Sequence, residues 1–318
     1  MSTTIAVIGE VVADAVLPPD GVVNGVAHLA VHPGGGPANT AVALARLGST
    51  ARFAGRLSGG ALGALCRAKL EASGVDLTTS VVVDNPATLA IARLDADGAA
   101  SYEFYTDGTA DWGWTDETLA PVLEGPFPAT GPPVAVHTGT LALALQPSGS
   151  VIENLLGRAR ERLTVSIDPN LRTQLIPAIS YRQRIDVWAA LADILRLSED
   201  DLDQLWPGWT PEQAAEHLHK LGVALVVVSL GSAGAFASFR GTSLRVPIAP
   251  TTLVDTVGAG DSFHAGLLHH LAEHGVLGGR LEALSPQTLE QALRFASRVA
   301  AINCSRPGAD PPWHTELT

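Results

Sequence analysis

The sequence predicts an α/β protein with a doubly wound, mainly parallel sheet, helices on both faces and a small β-ribbon lid. Short apolar runs alternate with segments of helical periodicity along most of the chain. Two other stretches alternate apolar with polar or small residues, as ribbons do. Because 318 residues with 46% hydrophobic content can fill one large core, we expect residues 1–318 to form a single α/β domain.

The apolar runs are bounded by turn residues, which is typical of strands buried on both faces. They are Ile5–Ile8, Val81–Val83, Val134–Val136, Val165–Ile167, Ile194–Leu197 and Leu225–Val228. The segments with helical periodicity include Ala38–Leu47, Leu62–Ser73, Val151–Arg162, Pro211–Leu221 and Leu289–Ala301. Strands and helices in this order form a parallel sheet between two helical layers.

The lid ribbons are predicted at about residues 11–31 and 89–105, with turns at Pro18-Pro-Asp-Gly21 and Asp95-Ala-Asp-Gly98. Ribbons inserted near the strand ends would cover a ligand crevice or provide a surface for a homodimer. Aromatic and acidic residues crowd the end of the second ribbon, where they would shape a pocket or pack the lid. They are Tyr102, Phe104, Tyr105, Asp107, Asp111 and Trp112.

The charge balance excludes several classes of partner. A net charge of −12 argues against nucleic acid and anionic membrane surfaces, since both attract basic proteins. No apolar stretch approaches the roughly 20 residues that span a bilayer, and the first residues lack a basic signal-peptide region. We therefore expect a cytoplasmic protein. Cys66 and Cys304 are too few and too far apart in sequence to indicate a disulfide framework or a cysteine metal site.

The most informative stretch runs from Asp255 to Phe263 with the sequence DTVGAGDSF, where a glycine-rich turn opens a long apolar helix. Gly258 and Gly260 allow successive amide N–H groups to converge at the positive end of that helix, which suits an anion. Asp261 would either cap the helix or accept the proton of a hydroxyl that attacks phosphorus. Because Ser262 would suffice as a cap, the second role is favoured.

Two further groups suggest a ligand site. Pro33-Gly-Gly-Gly-Pro-Ala-Asn39 leads into a helix, and Asn39 together with Asp14 offers donors and acceptors for neighbouring hydroxyls, although such a turn is often a mere connection. Asp168-Pro-Asn-Leu-Arg172 follows a predicted strand directly, at the ligand edge of an open α/β sheet. Arg172 would neutralise a transferring phosphoryl group, and Asp168 and Asn170 would order metal-bound water, unless the segment is a plain surface turn.

Taken in order along the chain, these motifs resemble the ribokinase-like (PfkB) family of sugar kinases, closest to its fructokinase branch. The resemblance rests on Gly9-Glu10 with Asp14, Gly34 to Asn39, Leu44 to Gly48, Gly74-Val-Asp76, Asp168 to Arg172, Asp255 to Asp261, and Cys304 to Ala309. It implies an ATP-dependent transfer of the γ-phosphoryl group to a hydroxymethyl group of a small sugar. Fructose is the expected substrate; ribose, 2-keto-3-deoxygluconate and nucleosides are the alternatives.

The resemblance also implies roles for single residues. Asp261 would be the catalytic base, the amides of Gly258, Ala259 and Gly260 the anion hole, and Arg172 a phosphate ligand. Sugar hydroxyls would bind Asp14, Gly34, Gly35 and Asn39, whereas the nucleotide would lie against Ser229, Gly231, Gly234 and Asn303. Mg²⁺ would accompany ATP, and a monovalent cation such as K⁺ would bind Asp255 and the carbonyls around Val257 and Gly308.

The chain departs from the family pattern in three places. Val257 replaces a threonine common in the fingerprint, and a tryptophan often found after the Asp-x-Asn-x-Arg element is absent. The Asn-x-x-Glu element, which the family links to magnesium and phosphate, is represented by Ser198-Glu-Asp-Asp201. These changes leave open a non-catalytic sugar-binding regulatory protein on the same fold, although the intact Asp261 argues for an enzyme.

Other chemistries are weaker. His270-Leu-Ala-Glu-His274 matches a zinc-peptidase pattern but lacks a third ligand, and Gly260-Asp-Ser-Phe-His264 lacks the small final residue of a hydrolase nucleophile elbow. No Gly-x-x-x-x-Gly-Lys-[Ser/Thr] occurs, so a P-loop enzyme is excluded.

Overall fold

The computed structural model describes residues 3–94, 100–125, 127 and 131–317. Within these ranges the main sheet has eight strands, which are β1 Thr4–Ile8, β6 Thr50–Ala54, β11 Ala135–Gly139, β12 Thr164–Asp168, β13 Ile194–Ser198, β14 Leu225–Ser229, β15 Ala235–Phe239 and β16 Thr242–Val246. Their order across the sheet is β6-β1-β11-β12-β13-β14-β15-β16. Neighbours from β6 to β14 pair in parallel, and the β14–β15 and β15–β16 pairs are antiparallel.

The sheet separates two helical layers because its strands bury alternate side chains on opposite faces. In β1, for example, Ile5 and Val7 belong to one apolar cluster, and Ala6 and Ile8 belong to the other. The first face carries α1 Gly36–Leu47, α2 Ala61–Ala72, α10 Ala259–Glu273 and α11 Pro286–Cys304. The second carries α3 Asp116–Leu119, α4 Pro121–Glu124, α5 Thr140–Ala144, α6 Ser148–Ala159, α7 Ala178–Leu191, α8 Glu199–Leu205 and α9 Pro211–Lys220.

The predicted fold class is confirmed, with one strand misplaced. Val81–Val83 forms a strand, β8, but it pairs with β7 (Arg56–Ser58) in a separate two-stranded parallel sheet. Its side chains are exposed or only half-buried, so the run of three valines does not mark a core strand. None of the helices in the described ranges is long and apolar enough to cross a bilayer.

The two predicted ribbons exist, but they join into one sheet. β2 (Val12–Leu17) pairs antiparallel with β5 (Ala30–Gly34), and β9 (Thr88–Leu94) with β10 (Ala100–Tyr105). A parallel β2–β9 pair links them in the order β10-β9-β2-β5, which we call the lid sheet. The predicted turn at Asp95–Gly98 lies outside the described residues.

A small hairpin extends from the lid sheet. It is formed by β3 (Val22–Val23) and β4 (Val26–Ala27), with Asn24 and Gly25 at positive φ at its tip. This turn allows a two-residue connection that matches the strand twist. Val22, Val23 and Val26 are 60%, 52% and 56% exposed, so the hairpin presents apolar side chains to solvent.

Candidate active site

The N-terminus of α10 lies at the carboxyl edge of the main sheet, and its glycine turn is held from both sides. Gly258 adopts a φ of 73°, a left-handed conformation that favours glycine. Asp255 accepts hydrogen bonds from the amides of Val257, at 3.0 Å, and Gly308, at 2.7 Å. The turn is therefore fixed before any ligand binds.

One of the three amides that the resemblance assigns to an anion hole already has a partner in the turn. The Ala259 amide donates to the Thr256 carbonyl at 3.1 Å and is part of the turn. Because the first N–H groups of a helix have no partner within it, the amides of Gly260 and Asp261 are left at the helix end, beside that of Gly258. These amides, with the helix dipole, form a place for an anion.

Asp261 is buried at this point, with 8% of its surface exposed. Its Oδ2 accepts a hydrogen bond of 2.9 Å from Asn39 Nδ2, although 222 positions separate the two residues in sequence. Burial raises the pKa of Asp261 to about 7; the Asn39 hydrogen bond acts against this shift, and the nearby Asp168 charge adds to it. A carboxyl group with such a pKa can accept a proton near neutral pH.

Asn39 reaches Asp261 because α1 begins beside α10. Gly36, the first residue of α1, allows this approach: a Cβ there would lie 2.7 Å from Thr140 Cγ2 and 3.3 Å from Asp261 Oδ1. The two glycine clusters that the sequence analysis treated separately therefore meet at one point, and Asn39 contacts the predicted base directly.

The lid sheet contributes Asp14 to the site, next to the glycines that precede α1. Asp14, on β2, lies so close to Gly34 that a Cβ on the glycine would be 1.9 Å from Asp14 Oδ2. Burial raises the pKa of Asp14 to about 6, while the charges of Arg172 and Lys69 act in the opposite direction. Gly35 has a φ of 100°, and a Cβ there would lie 2.6 Å from the Glu10 carbonyl oxygen. The predicted sugar-binding residues Asp14, Gly34, Gly35 and Asn39 are thus brought together.

The strand register of the lid sheet sorts the residues of the second ribbon. Asp14 is opposite Ala90, and Ala90 is opposite Phe104, so these three side chains share one lid face. Tyr105 points to the other face. Asp111 lies at the root of the lid instead, where it accepts hydrogen bonds from the Val11 amide and the Thr88 hydroxyl.

The charge of Arg172 lowers the pKa of both Asp14 and Asp261, so its guanidinium lies near each of these carboxyl groups. Its Nη1 donates to Asn170 Oδ1 at 2.6 Å. Asp168 is 4% exposed and accepts a hydrogen bond of 2.8 Å from Arg196. The other carboxylate oxygen, Asp168 Oδ1, is buried without a hydrogen-bond partner among the described residues, so the expectation that Asp168 and Asn170 order metal-bound water stays a prediction.

The predicted nucleotide residues lie around the end of β14. Ser229 ends that strand and accepts a hydrogen bond from Arg196 Nη2. Gly234 has a φ of 89°, and a Cβ on it would lie 2.1 Å from the Val246 carbonyl oxygen, so a close strand approach requires this glycine. Asn303 is fully buried and donates to the Val257 carbonyl at 2.8 Å, which makes it a support of the α10 turn.

The altered Ser198 to Asp201 element is a helix cap. Ser198 and Asp201 bond each other's backbone amides at the start of α8, and Asp201 Oδ1 accepts from the Leu171 amide at 2.8 Å. No cluster of three metal-ligating side chains occurs in the described residues. Magnesium often keeps several waters and binds through substrate phosphates with only one or two carboxylates, so such a cluster is not required for it.

Two buried residues at this edge were not assigned a role from sequence. Glu10 accepts hydrogen bonds from the Thr140 hydroxyl and, at 2.9 Å, the Ala142 amide, and burial raises its pKa to about 7. Arg196 lies within the otherwise apolar strand Ile194–Ser198. A charged residue in a core strand was the one available signal, since such groups are buried only with partners.

The competing motifs have structural explanations. The rings of His270 and His274 stack with their centroids 4.1 Å apart, and His274 Nδ1 contacts the His270 carbonyl oxygen. His264, of the elbow-like segment, is fully buried with its Nε2 2.6 Å from Ser166 Oγ. Neither arrangement is that of a zinc peptidase or a serine hydrolase.

Comparison with known proteins agrees with this geometry. A family model described as pfkB family carbohydrate kinase matches residues 2–316. A fructokinase of Rhizobium leguminosarum bv. trifolii is 36% identical over 83% of this chain and 78% of its own length. The structure resembles a Xylella fastidiosa fructokinase with bound ATP, with a TM-score of 0.85, 26% identity, and coverage of 97% of this chain and 94% of that one.

A second solved structure is a double mutant of fructokinase from Vibrio cholerae O395, which holds fructose, ADP and a potassium ion. It is 27% identical, with a TM-score of 0.79, over 96% of this chain and 94% of its own. From the motifs, the site and these matches together, the chain belongs to the pfkB family of carbohydrate kinases.

Proposed function

We propose that this protein is an ATP-dependent fructokinase that transfers the γ-phosphoryl group to a hydroxymethyl group of fructose. The observation that carries the proposal is the buried Asp261 at the start of α10, which accepts a hydrogen bond from Asn39 and lies close to Gly36, while Asp14 lies close to Gly34. The names of the relatives favour fructose, since the matches described above are fructokinases.

The sugar would lie between the lid sheet and α1. Asp14 offers acceptors and Asn39 an amide, so neighbouring hydroxyls can be bound in both senses. Gly34 to Gly36 leave the room for a hydroxyl-bearing carbon to approach Asp261. In this placement Asp261 accepts the proton of the primary hydroxyl as that oxygen attacks phosphorus, the new O–P bond forms, and ADP leaves.

The charge on the transferred group would be met by the start of α10 and by Arg172. The Gly258 and Gly260 amides are already oriented, so they need no rearrangement as charge develops. Mg²⁺ bound to the nucleotide phosphates would supply further positive charge. Ser229 and Gly231, at the end of β14, would border the nucleotide.

A monovalent cation site is proposed beside the anion hole. Asp255, Val257 and Gly308 come together through the two hydrogen bonds that Asp255 accepts. Carboxylate and carbonyl oxygens are the ligands that such a cation prefers. A bound K⁺ would neutralise Asp255 and stiffen the turn that carries the amides.

The lid sheet would close over the sugar and exclude water, which prevents hydrolysis of ATP in its place. Its small hairpin, with Val22, Val23 and Val26 exposed, is proposed as the contact of a homodimer, because such apolar patches commonly mark interfaces.

The test is ADP release with ATP and Mg²⁺ against fructose, ribose, 2-keto-3-deoxygluconate, inosine and adenosine, with K⁺ present or omitted. We expect turnover to be highest with fructose and to rise with K⁺. Preference for another sugar would reassign the substrate. Binding of ATP and sugar without turnover would contradict the enzymatic proposal and support a regulatory protein.

A further inference from the structure

Arg196 occupies an unusual position beneath the anion hole. It lies on β13 with 5% of its surface exposed. Its Nη1 donates to Asp168 Oδ2 at 2.8 Å, on the neighbouring strand β12, and its Nη2 donates to Ser229 Oγ, on the other neighbour β14. The guanidinium therefore spans three strands at the carboxyl edge of the sheet.

The same guanidinium lies against the first turn of α10. A Cβ on Gly260 would be 2.8 Å from Nη1 and 2.9 Å from Nη2 of Arg196. No side chain fits between them, so the glycine backbone rests directly on the guanidinium. Gly260 immediately precedes Asp261, and its amide belongs to the proposed anion hole.

The charges around Arg196 are mostly negative. Asp168, Asp201 and Asp261 all act on it, and together they raise its pKa despite burial. The nearby imidazoles of His137 and His264 lie behind it, 4.6 Å apart, and burial lowers the pKa of both, that of His137 to about 3. The histidines are consequently neutral, and the positive charge facing Asp261 comes from Arg196 and Arg172.

We propose that Arg196 is a positioning residue for phosphoryl transfer: it fixes the first turn of α10 and places beneath Gly260 a positive charge that offsets Asp168. The proposal rests on the proposed function, because it takes Asp261 as the base. An ion pair with Asp168 alone would need only one nitrogen; the second nitrogen contacts Ser229, and Gly260 lies against the edge of the guanidinium that carries both Nη atoms.

The opposing effects of Asp168 and Arg196 on Asp261 give the proposal a specific signature. Asp168 raises the pKa of Asp261, and Arg196 lowers it. Asn39, by its hydrogen bond, and Arg172, by its charge, also lower it. Removing Arg196 alone should therefore move the ionisation of Asp261 to higher pH, whereas removing both partners of the ion pair should bring it back toward that of the wild type.

The experiment measures kcat against pH, and the titration of the Asp261 carboxyl carbon by NMR, in four variants. The NMR signal is assigned by its loss in Asp261→Asn. For Arg196→Met we expect kcat to fall on the order of tenfold or more, with a nearly unchanged KM for the sugar. The pH midpoint of the kcat profile and the midpoint of the NMR titration should both rise. For Asp168→Asn with Arg196→Met, the midpoints should return toward those of the wild type.

Arg196→Lys separates the two parts of the role. Lysine keeps the positive charge but lacks the two terminal nitrogens of the planar guanidinium. The pH midpoints should therefore stay close to those of the wild type, while kcat should still fall. Arg160→Met, a partly buried arginine outside the site, is the matched control and should change neither kcat nor the midpoints.

Unchanged midpoints in Arg196→Met, or a double variant that titrates like the single one, would overturn the proposal and leave Arg196 a structural residue. If Arg196→Met does not fold because Asp168 is left unpaired, the double variant and Arg196→Lys still decide. Failure of the proposed function is distinct: the wild type would then turn over no sugar, while the NMR titrations would still report on Arg196.

Discussion

The N-termini of α1 and α10 meet at the site, and both contain glycines, but the glycines have different roles at the two helices. At α10, glycine exposes amides to a charged group, and buried charges surround the turn: Asp261 in front and the Arg196–Asp168 pair behind. At α1, Gly34, Gly35 and Gly36 remove side chains so that Asp14, Glu10 and Thr140 can approach. The start of α10 places charged groups together, whereas the start of α1 leaves room for side chains to approach. Substitutions at α10 should therefore lower kcat, and substitutions at α1 should weaken sugar binding.

The largest effect is expected at the charged start. Asp261→Asn should lower kcat on the order of a hundredfold or more, because the amide cannot accept the hydroxyl proton. Nucleotide affinity should be kept, since the amides of the turn are untouched. Steady-state kinetics and calorimetric titration with ATP measure the two quantities, and Asp203→Asn, an exposed change, is the control. Turnover close to that of the wild type would remove Asp261 as the base.

At the start of α1, Gly34→Ala should weaken sugar binding. Its Cβ would lie 1.9 Å from Asp14 Oδ2, so the carboxylate must swing away. We expect the KM for fructose to rise about tenfold or more with little change in thermal stability, since a short side chain rather than backbone has to move. Gly157→Ala, where a Cβ meets only Leu191 Cδ2 at 3.9 Å, is the matched control. A fall in kcat alone would contradict the placement of the sugar.

Asn39 lies on α1 and donates a hydrogen bond to Asp261 on α10, so Asn39→Ala should affect both sugar binding and the activity of Asp261, each less strongly than the substitutions above. Sugar affinity should fall without loss of ATP affinity, because a hydroxyl contact is removed far from the purine. Loss of the hydrogen bond that lowers the pKa of Asp261 should also shift the acidic limb of the rate profile to higher pH. A selective loss of ATP affinity would overturn this assignment.

Much of this architecture follows from local sequence. Core strands such as Leu225–Ser229 are continuous apolar runs, and the DTVGAGD turn identifies the start of α10 from its glycines and carboxylates. Val81–Val83 shows the limit, since three valines have the same local preference in a core strand and in an outlying one. The β2–β9 pairing that unites the lid depends on contacts distant in sequence, which a local pattern does not encode.

The site was predicted in parts rather than as a whole. The sequence names Asp14, Asn39, Arg172 and Asp261 one by one, but the Asn39–Asp261 hydrogen bond depends on the packing of α1 on α10. An asparagine at the end of a helix gives no sign of the direction it faces, so the hydrogen bond from Asn303 to the Val257 carbonyl does not follow from the sequence. Arg196 gave a signal only as a charge in an apolar strand.

The smallest expected effect concerns stability. Because burial raises the pKa of Asp261 from its ordinary value of 3.8 to about 7, the folded state holds the proton more tightly than the unfolded state does. Its contribution to stability therefore falls as pH rises from the lower value through about 7. Asp261→Asn should raise the melting temperature at pH 8 and change it little at pH 4, as calorimetry would show. Equal changes at both pH values would mean that the pKa of Asp261 is the same in the folded and unfolded states, which would contradict the burial of an ionisable carboxyl group.

The most direct test of the account is the pH dependence of kcat/KM for fructose in the wild type, at saturating ATP with Mg²⁺ and K⁺. If one buried carboxyl group at the junction of the two helix starts is the base, the rate should be constant above neutrality and fall tenfold per pH unit below about 7. A rate that stays constant down to pH 5 would contradict the assignment of Asp261, and with it the chemistry proposed for this site.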